Sequence, residues 1–179
     1  MNTHSFSDTL STLMRELVRG SPDPRHPTYM LNRGDRGLLD SLENVSAAAA
    51  SAPNVGGASI AAHADHLRYG IALLNRWARG EAEPWKDADW TKSWKKGVVT
   101  EAEWRTLRDD LRREADAWVE ALAMPREVKG RELGWIAGSV AHLAYHLGAM
   151  RQIDRATRGP TAEDERRAEE ILRAEKASG

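Results

Sequence analysis

In the stretch SVAHLAYHLGAMRQ, residues 139–152, His142 and His146 stand four apart with little else polar around them. A second pair, His63 and His66, stands in SIAAHADHLRYG. Neutral imidazole is a general base and a common metal ligand. On a helix, an i, i+4 pair places two rings about 6 Å apart along one face, a spacing suited to a shared ion. A third histidine from a facing helix would complete a three-nitrogen site with a position left open for water or substrate, as in catalytic metal sites. The alternative is a set of core histidines with satisfied hydrogen bonds. A buried imidazole without a partner costs about 1–3 kcal/mol, and these segments offer few partners: Ser139, Tyr69, Tyr145 and Asn75. The residues alone leave both readings open. His4 and His26 fall in a tail and a proline-rich loop.

These side chains need helices to position them. Alanine, leucine, arginine and glutamate abound, and no run of alternating strand residues is present. Leu10, Leu13, Met14 and Leu17 predict a first helix over 6–19, ended by the prolines and glycines of SPDPRHPTYMLNRGDRG. Leu38, Leu39, Leu42 and Val45 predict a second over 35–50, before the turn SAPNVGG. A third, over 58–79, carries His63 and His66 on or beside the stripe Ile60, Ala64, Leu67, Ile71 and Leu74. The connection EAEPWKDADWTKSWKKG has room for one short helix and holds Trp85, Trp90 and Trp94, which either roof a pocket or pack the loop down.

Thr100 and Glu103 form a capping box that starts a fourth helix, to about residue 123, with Trp104 and Trp118 on it. A fifth, over 131–158, carries the opening motif on a seam of Leu133, Ile136, Val140, Leu143, Leu147 and Met150. Its opposite side, with Gly138, Ala141, Tyr145 and Ala149, is also uncharged, which predicts burial all round. Arg151 points away from His146 and reads as a structural ion-pair or interface residue, and Asp65 as solvated. Gly159 and Pro160 end this helix, and Thr161 caps a charged C-terminal one. The fold class is all-α: a four-helix bundle with short extra helices in the 80–99 connection and at the C-terminus. One domain spans 1–179, its core about 35–158 and its charged tail 160–179.

Bulk properties narrow the function. The 26 basic and 27 acidic residues balance and are intermixed, which argues against nucleic acid as a partner. The absence of cysteine removes disulfides, thiolate metal sites and a cysteine nucleophile, and fits a cytoplasmic protein. MNTHSFSDTLSTLMREL has no basic segment leading into an apolar run, so no signal peptide is expected. Leu133 to Met150 is free of formal charge, close to the roughly 20 residues of a membrane span. Its histidines, Ser139, three glycines and charged flanks favour a buried helix instead.

HADHLRYGIALLNRW, PWKDADWTKSW and AHLAYHLGAMRQI together resemble the DinB-like (DinB/YfiT-like) metalloenzyme superfamily over about residues 35–158. The AHxxYHxGxxRQ signature is the most specific part. The resemblance implies a DinB-type four-helix bundle with a three-histidine metal site. Its ligands would be His66, which follows the helix start at Ser59 and precedes Leu67, together with His142 and His146. It implies Zn²⁺, Ni²⁺ or Fe²⁺ with water at the open positions, and imidazole suits all three. It also implies a homodimer and a small-molecule substrate. Some relatives transfer or use low-molecular-weight thiols such as bacillithiol and mycothiol. Tyr69, Tyr145 and His63 are then candidates to position or protonate substrate, against a plain packing role. A metal-dependent thiol S-transferase or hydrolase-like enzyme is the leading reading. The alternatives are a non-enzymatic metal- or ligand-binding stress-response protein and a metal-free oligomerisation bundle. Ordinary imidazole ligands would release metal below about pH 6.

Overall fold

The structure, a computed structural model, describes residues 3–21, 23, 27–54 and 57–178, with side-chain surroundings from 7 to 177. Of the two outlying histidines, His26 lies outside the described residues, as does the side chain of His4. All regular structure among the described residues is helical. Helix α1 (Thr3–Arg19) takes in the segment read as an N-terminal tail, α2 spans Gly37–Glu43 and α3 Ala47–Ser51. Then follow α4 (Ile60–Ala78), α5 (Trp90–Ser93), α6 (Glu101–Ala123), α7 (Gly130–Ile153) and α8 (Ala162–Ser178). A 3-10 turn, Arg155–Thr157, lies between the last two. No helix among the described residues is long and apolar enough to cross a membrane.

Helices α1, α4, α6 and α7 form the body. Helix α4 lies against α6 and α7, and α1 lies against the same two, which closes a ring. Met14, Leu17, Leu67, Leu111, Trp118, Leu143 and Met150 fill its centre. Apolar residues at i, i+3 and i+4 put these side chains on one face of each helix. The polar starts are capped as the sequence requires. The Ser59 hydroxyl accepts the Ala62 N–H, and Thr100 and Glu103 make their reciprocal box at the head of α6.

Two segments differ from the sequence reading. The helix expected over 35–50 is broken at Asn44–Ser46 into α2 and α3. Ser46 caps the new helix by accepting the Ala49 N–H, and the Glu101 carboxylate accepts the Ala47 N–H at 3.0 Å. The carbonyl of Val45 is taken by Trp104 Nε1–H at 2.7 Å. Side chains of α6 thus satisfy backbone groups that a continuous helix would have used internally. The second difference is α7, which ends at Ile153 rather than 158 and is not buried all round. Gly134, Ala137, Gly138, Ala141 and Gly148 are exposed, as are Tyr145 (69%) and the expected seam residue Leu133 (39%). The ring gives α7 neighbours on one side only. Its outer face is tolerated in water because glycine and alanine present little apolar area there.

Helix α7 is locked to the start of the chain by Arg151. Its guanidinium donates to Asp35 Oδ1 at 2.8 Å and to the Thr157 carbonyl at 3.1 Å. Asp35 is 2% exposed and also accepts the Gly37 N–H at 2.8 Å. Gly20 packs beside it with φ 72°, and a Cβ there would fall 1.9 Å from the Asp35 carbonyl oxygen. Nearby, the buried Glu16 carboxylate gathers the N–H groups of Tyr29, Met30 and Leu31, which ties the long loop to α1. Removing one partner of a buried ion pair leaves the other charge uncompensated. Asp35→Ala is therefore expected to lower unfolding stability by about 3 kcal/mol in urea denaturation. A loss below about 0.5 kcal/mol, the range of a surface substitution, would show that Arg151 finds water or another partner.

Candidate metal centre

Helices α4 and α7 lie side by side, and each turns its histidine pair toward the other. Of the four rings, His63, His66 and His146 are buried and His142 is partly exposed. Three Nε2 atoms converge. His142 Nε2 lies 3.2 Å from His66 Nε2 and 2.9 Å from His146 Nε2. A ring nitrogen has one in-plane position, filled by either a proton or a lone pair. His142 Nε2 can therefore make one good hydrogen bond, yet it faces two nitrogens.

The outer nitrogens show how the rings are set. Ser93 Oγ donates its proton to the Trp90 carbonyl at 2.7 Å, so toward His66 it can only accept. His66 Nδ1, 2.8 Å away, must then carry the proton, and its Nε2 lone pair faces the cluster. His146 Nδ1 is held 2.8 Å from His63 Nδ1. Metal-ligating histidines characteristically anchor the second nitrogen in this way. The separations also fit: nitrogens about 2.1 Å from one ion lie about 3 Å apart when the bond angle is near 90°. His66, His142 and His146 form a cluster that could hold one metal ion.

The tryptophan-bearing connection covers the cluster. Trp94 stacks on His66 with centroids 4.1 Å apart and planes 20° apart, and its ring edge meets His63. Trp90 lies beside His66, and Trp85 packs against Trp135 at 4.4 Å. The three tryptophans of the connection thus divide their work, with Trp94 over the histidines and Trp85 further along α7. Ser93 and Trp135 were missed by the sequence reading. Ser93 sits in a polar, aromatic connection whose path no periodicity predicts, and Trp135 gave no spacing signal.

His63 touches His146 rather than joining the three Nε2 atoms. The exposed Tyr145 sets its ring edge against His146 at 5.0 Å. The Tyr69 hydroxyl accepts the Asp89 N–H at 2.9 Å, which fastens the connection just before α5. Asp65 is half-buried rather than solvated and pairs with Arg68 at 2.8 Å. Arg151 is turned to Asp35, away from the cluster.

The centre is thus a histidine triad that could hold a metal ion, in an all-helical bundle-like fold. No family model, curated protein or solved structure matches the chain.

Burial, which disfavours the charged imidazolium, lowers the pKa of all four rings. His66 is brought down to about 4 and His146 to about 3, with the neighbouring histidines adding repulsion. The neutral, ligating form therefore persists well below the pH 6 expected of ordinary imidazoles. Between about pH 6.5 and pH 4 the unfolded chain binds protons that the folded chain refuses, so stability rises with pH across that window. The chelator-treated protein should hold constant stability above about pH 7 and lose it progressively as pH falls from about 6.5 toward 4. Replacing His66 and His146 together by glutamine should flatten that slope. An unchanged slope in the double variant would assign the acid sensitivity to other groups.

Proposed function

We propose that His66, His142 and His146 hold one divalent metal ion and that the chain is a DinB-like metalloenzyme. The observation that carries this reading is the meeting of three Nε2 atoms where hydrogen bonding satisfies only one of two contacts. A shared cation satisfies all three lone pairs together. Zn²⁺, Ni²⁺ and Fe²⁺ all suit three imidazoles. Such an ion would lower the pKa of a bound water or thiol and hold the resulting anion.

The protein's own groups then have distinct tasks. Ser93 and His63 orient two of the three rings through their Nδ1 atoms. Trp94 and Trp90 shield His66 from water on the side of the connection. Tyr145, exposed beside His146, is placed to meet a substrate arriving from solvent. The resemblance in AHLAYHLGAMRQI favours a small-molecule reaction of thiol-transfer type. It also favours a homodimer. A non-enzymatic metal-binding protein would keep the centre and lack turnover.

Protein purified without a histidine tag should carry about one metal per chain by elemental analysis. His66→Ala, His142→Ala and His146→Ala should each abolish retention while helicity is preserved. Ser93→Ala should weaken affinity by about 10–100-fold, as loss of an orienting hydrogen bond does. Full occupancy in any of the three histidine variants refutes the ligand set.

Conjugation of bacillithiol or mycothiol to a fluorogenic electrophile, with and without chelator, separates enzyme from binder. An enzyme loses the reaction with the metal and regains it on reloading. A metal-loaded protein that never exceeds the uncatalysed rate is no transferase for these thiols.

A further inference from the structure

Beside the histidine cluster lies a cavity of about 280 Å³ between α4 and α7, beneath the tryptophan-bearing connection. His142 stands in its wall and is the one titratable group there. Leu67, Ile71, Leu74, Trp85, Trp90 and Trp135 supply most of its surface. Ser139 also reaches the wall, but its hydroxyl is committed. It donates to the Ile136 carbonyl at 2.7 Å and accepts Trp118 Nε1–H at 2.9 Å. The cavity thus has a polar corner at the histidine end and an apolar body.

Three glycines keep it open. Gly70 on α4 and Gly134 and Gly138 on α7 all line the cavity from helix interiors, where glycine is less stable than alanine. A Cβ on Gly70 would reach the Trp90 ring at 3.6 Å. A Cβ on Gly134 or Gly138 would meet nothing within 4 Å. The space is not needed for helix packing. It is wall left bare, at a cost in helix propensity, next to a candidate metal ligand.

We propose that this cavity binds the apolar body of the substrate, a molecule whose metal-seeking end reaches the cluster past His142. This proposal rests on the metal reading above and adds the substrate class. An apolar cavity of about 150 Å³ accommodates benzene, so this one suits a bicyclic aromatic or a chain of about eight carbons. The polar body of a hydrophilic thiol would find no partners against leucine, isoleucine and tryptophan. In a thiol transfer, the cavity is the place of the apolar acceptor.

The test uses the zinc-loaded full chain and two hydroxamic acids with the same metal-binding head, octanohydroxamic and acetohydroxamic acid. Calorimetry should show the longer probe binding at least about 100-fold tighter, from burial of about six extra methylenes. Gly138→Leu, and independently Gly134→Leu, should erase most of that advantage. Zinc content and acetohydroxamate affinity should stay the same in Gly134→Leu, because Gly134 lies about two turns of α7 before His142. Equal affinities in the unaltered protein would overturn the proposal. So would an advantage that survives both substitutions, or a change of oligomeric state in both variants, which would make the wall a subunit contact.

Naphthalene binding to chelator-treated protein separates this proposal from the one beneath it. If the protein holds no zinc, yet naphthalene binds and Gly138→Leu weakens it at least about tenfold, the cavity stands and the metal reading falls. If zinc is held and neither chain length nor naphthalene registers, the cavity proposal fails alone.

Discussion

The structure depends on a simple limit of imidazole chemistry. A ring nitrogen holds one proton or one lone pair in its plane, and here three such nitrogens are brought to one point. That arrangement is unfavourable without a cation and favourable with one. Keeping it requires that each ring be fixed from behind. Ser93 does this for His66 and His63 for His146, while Trp94 covers the flat face of His66. His63 is therefore part of the support.

The bundle supplies the rigidity this needs. The two histidine-bearing helices lie against each other and are backed by α1 and α6 on the other side of the ring, with Trp118 and Met150 buried in its centre. The end of α7 is pinned by Arg151 to Asp35, a buried carboxylate in the turn before α2. A helix anchored near its end and packed along one side holds its rotation, and rotation decides whether His142 and His146 face α4. The glycines along the cavity work in the opposite sense. They give up helix propensity and packing to leave room, and they do so beside the cluster rather than in the core.

Much of the scaffold was legible in the chain. The caps at Ser59 and Thr100 start their helices where the sequence places them, because a side-chain oxygen three residues before a free N–H is a local matter. The break at Asn44–Ser46 was not legible. Leu38 to Ala50 carries an unbroken apolar pattern, and the groups that open it, Trp104 and Glu101, come from more than fifty residues away. The outer face of α7 misled for a related reason. An uncharged helix surface reads as buried, yet glycine and alanine are small enough to stand in water once no neighbour covers them.

The sequence by itself determined an all-helical chain, the two histidine pairs at helical spacing, and the absence of cysteine that rules out thiolate ligands. Periodicity specifies direction around one helix axis, so it could place His142 and His146 on one side of α7. It says nothing about how two helices are rotated and offset against each other, or how a seventeen-residue connection crosses them. Periodicity left His63 and His66 both open and the resemblance named His66; tertiary packing is what brings the His66 Nε2 to the other two. Packing also decided that Ser93 carries the supporting hydrogen bond and that Trp85 and Trp90 line a solvent-open cavity at His142. These are contacts between segments remote in sequence, and they are set by shape complementarity that no local pattern encodes.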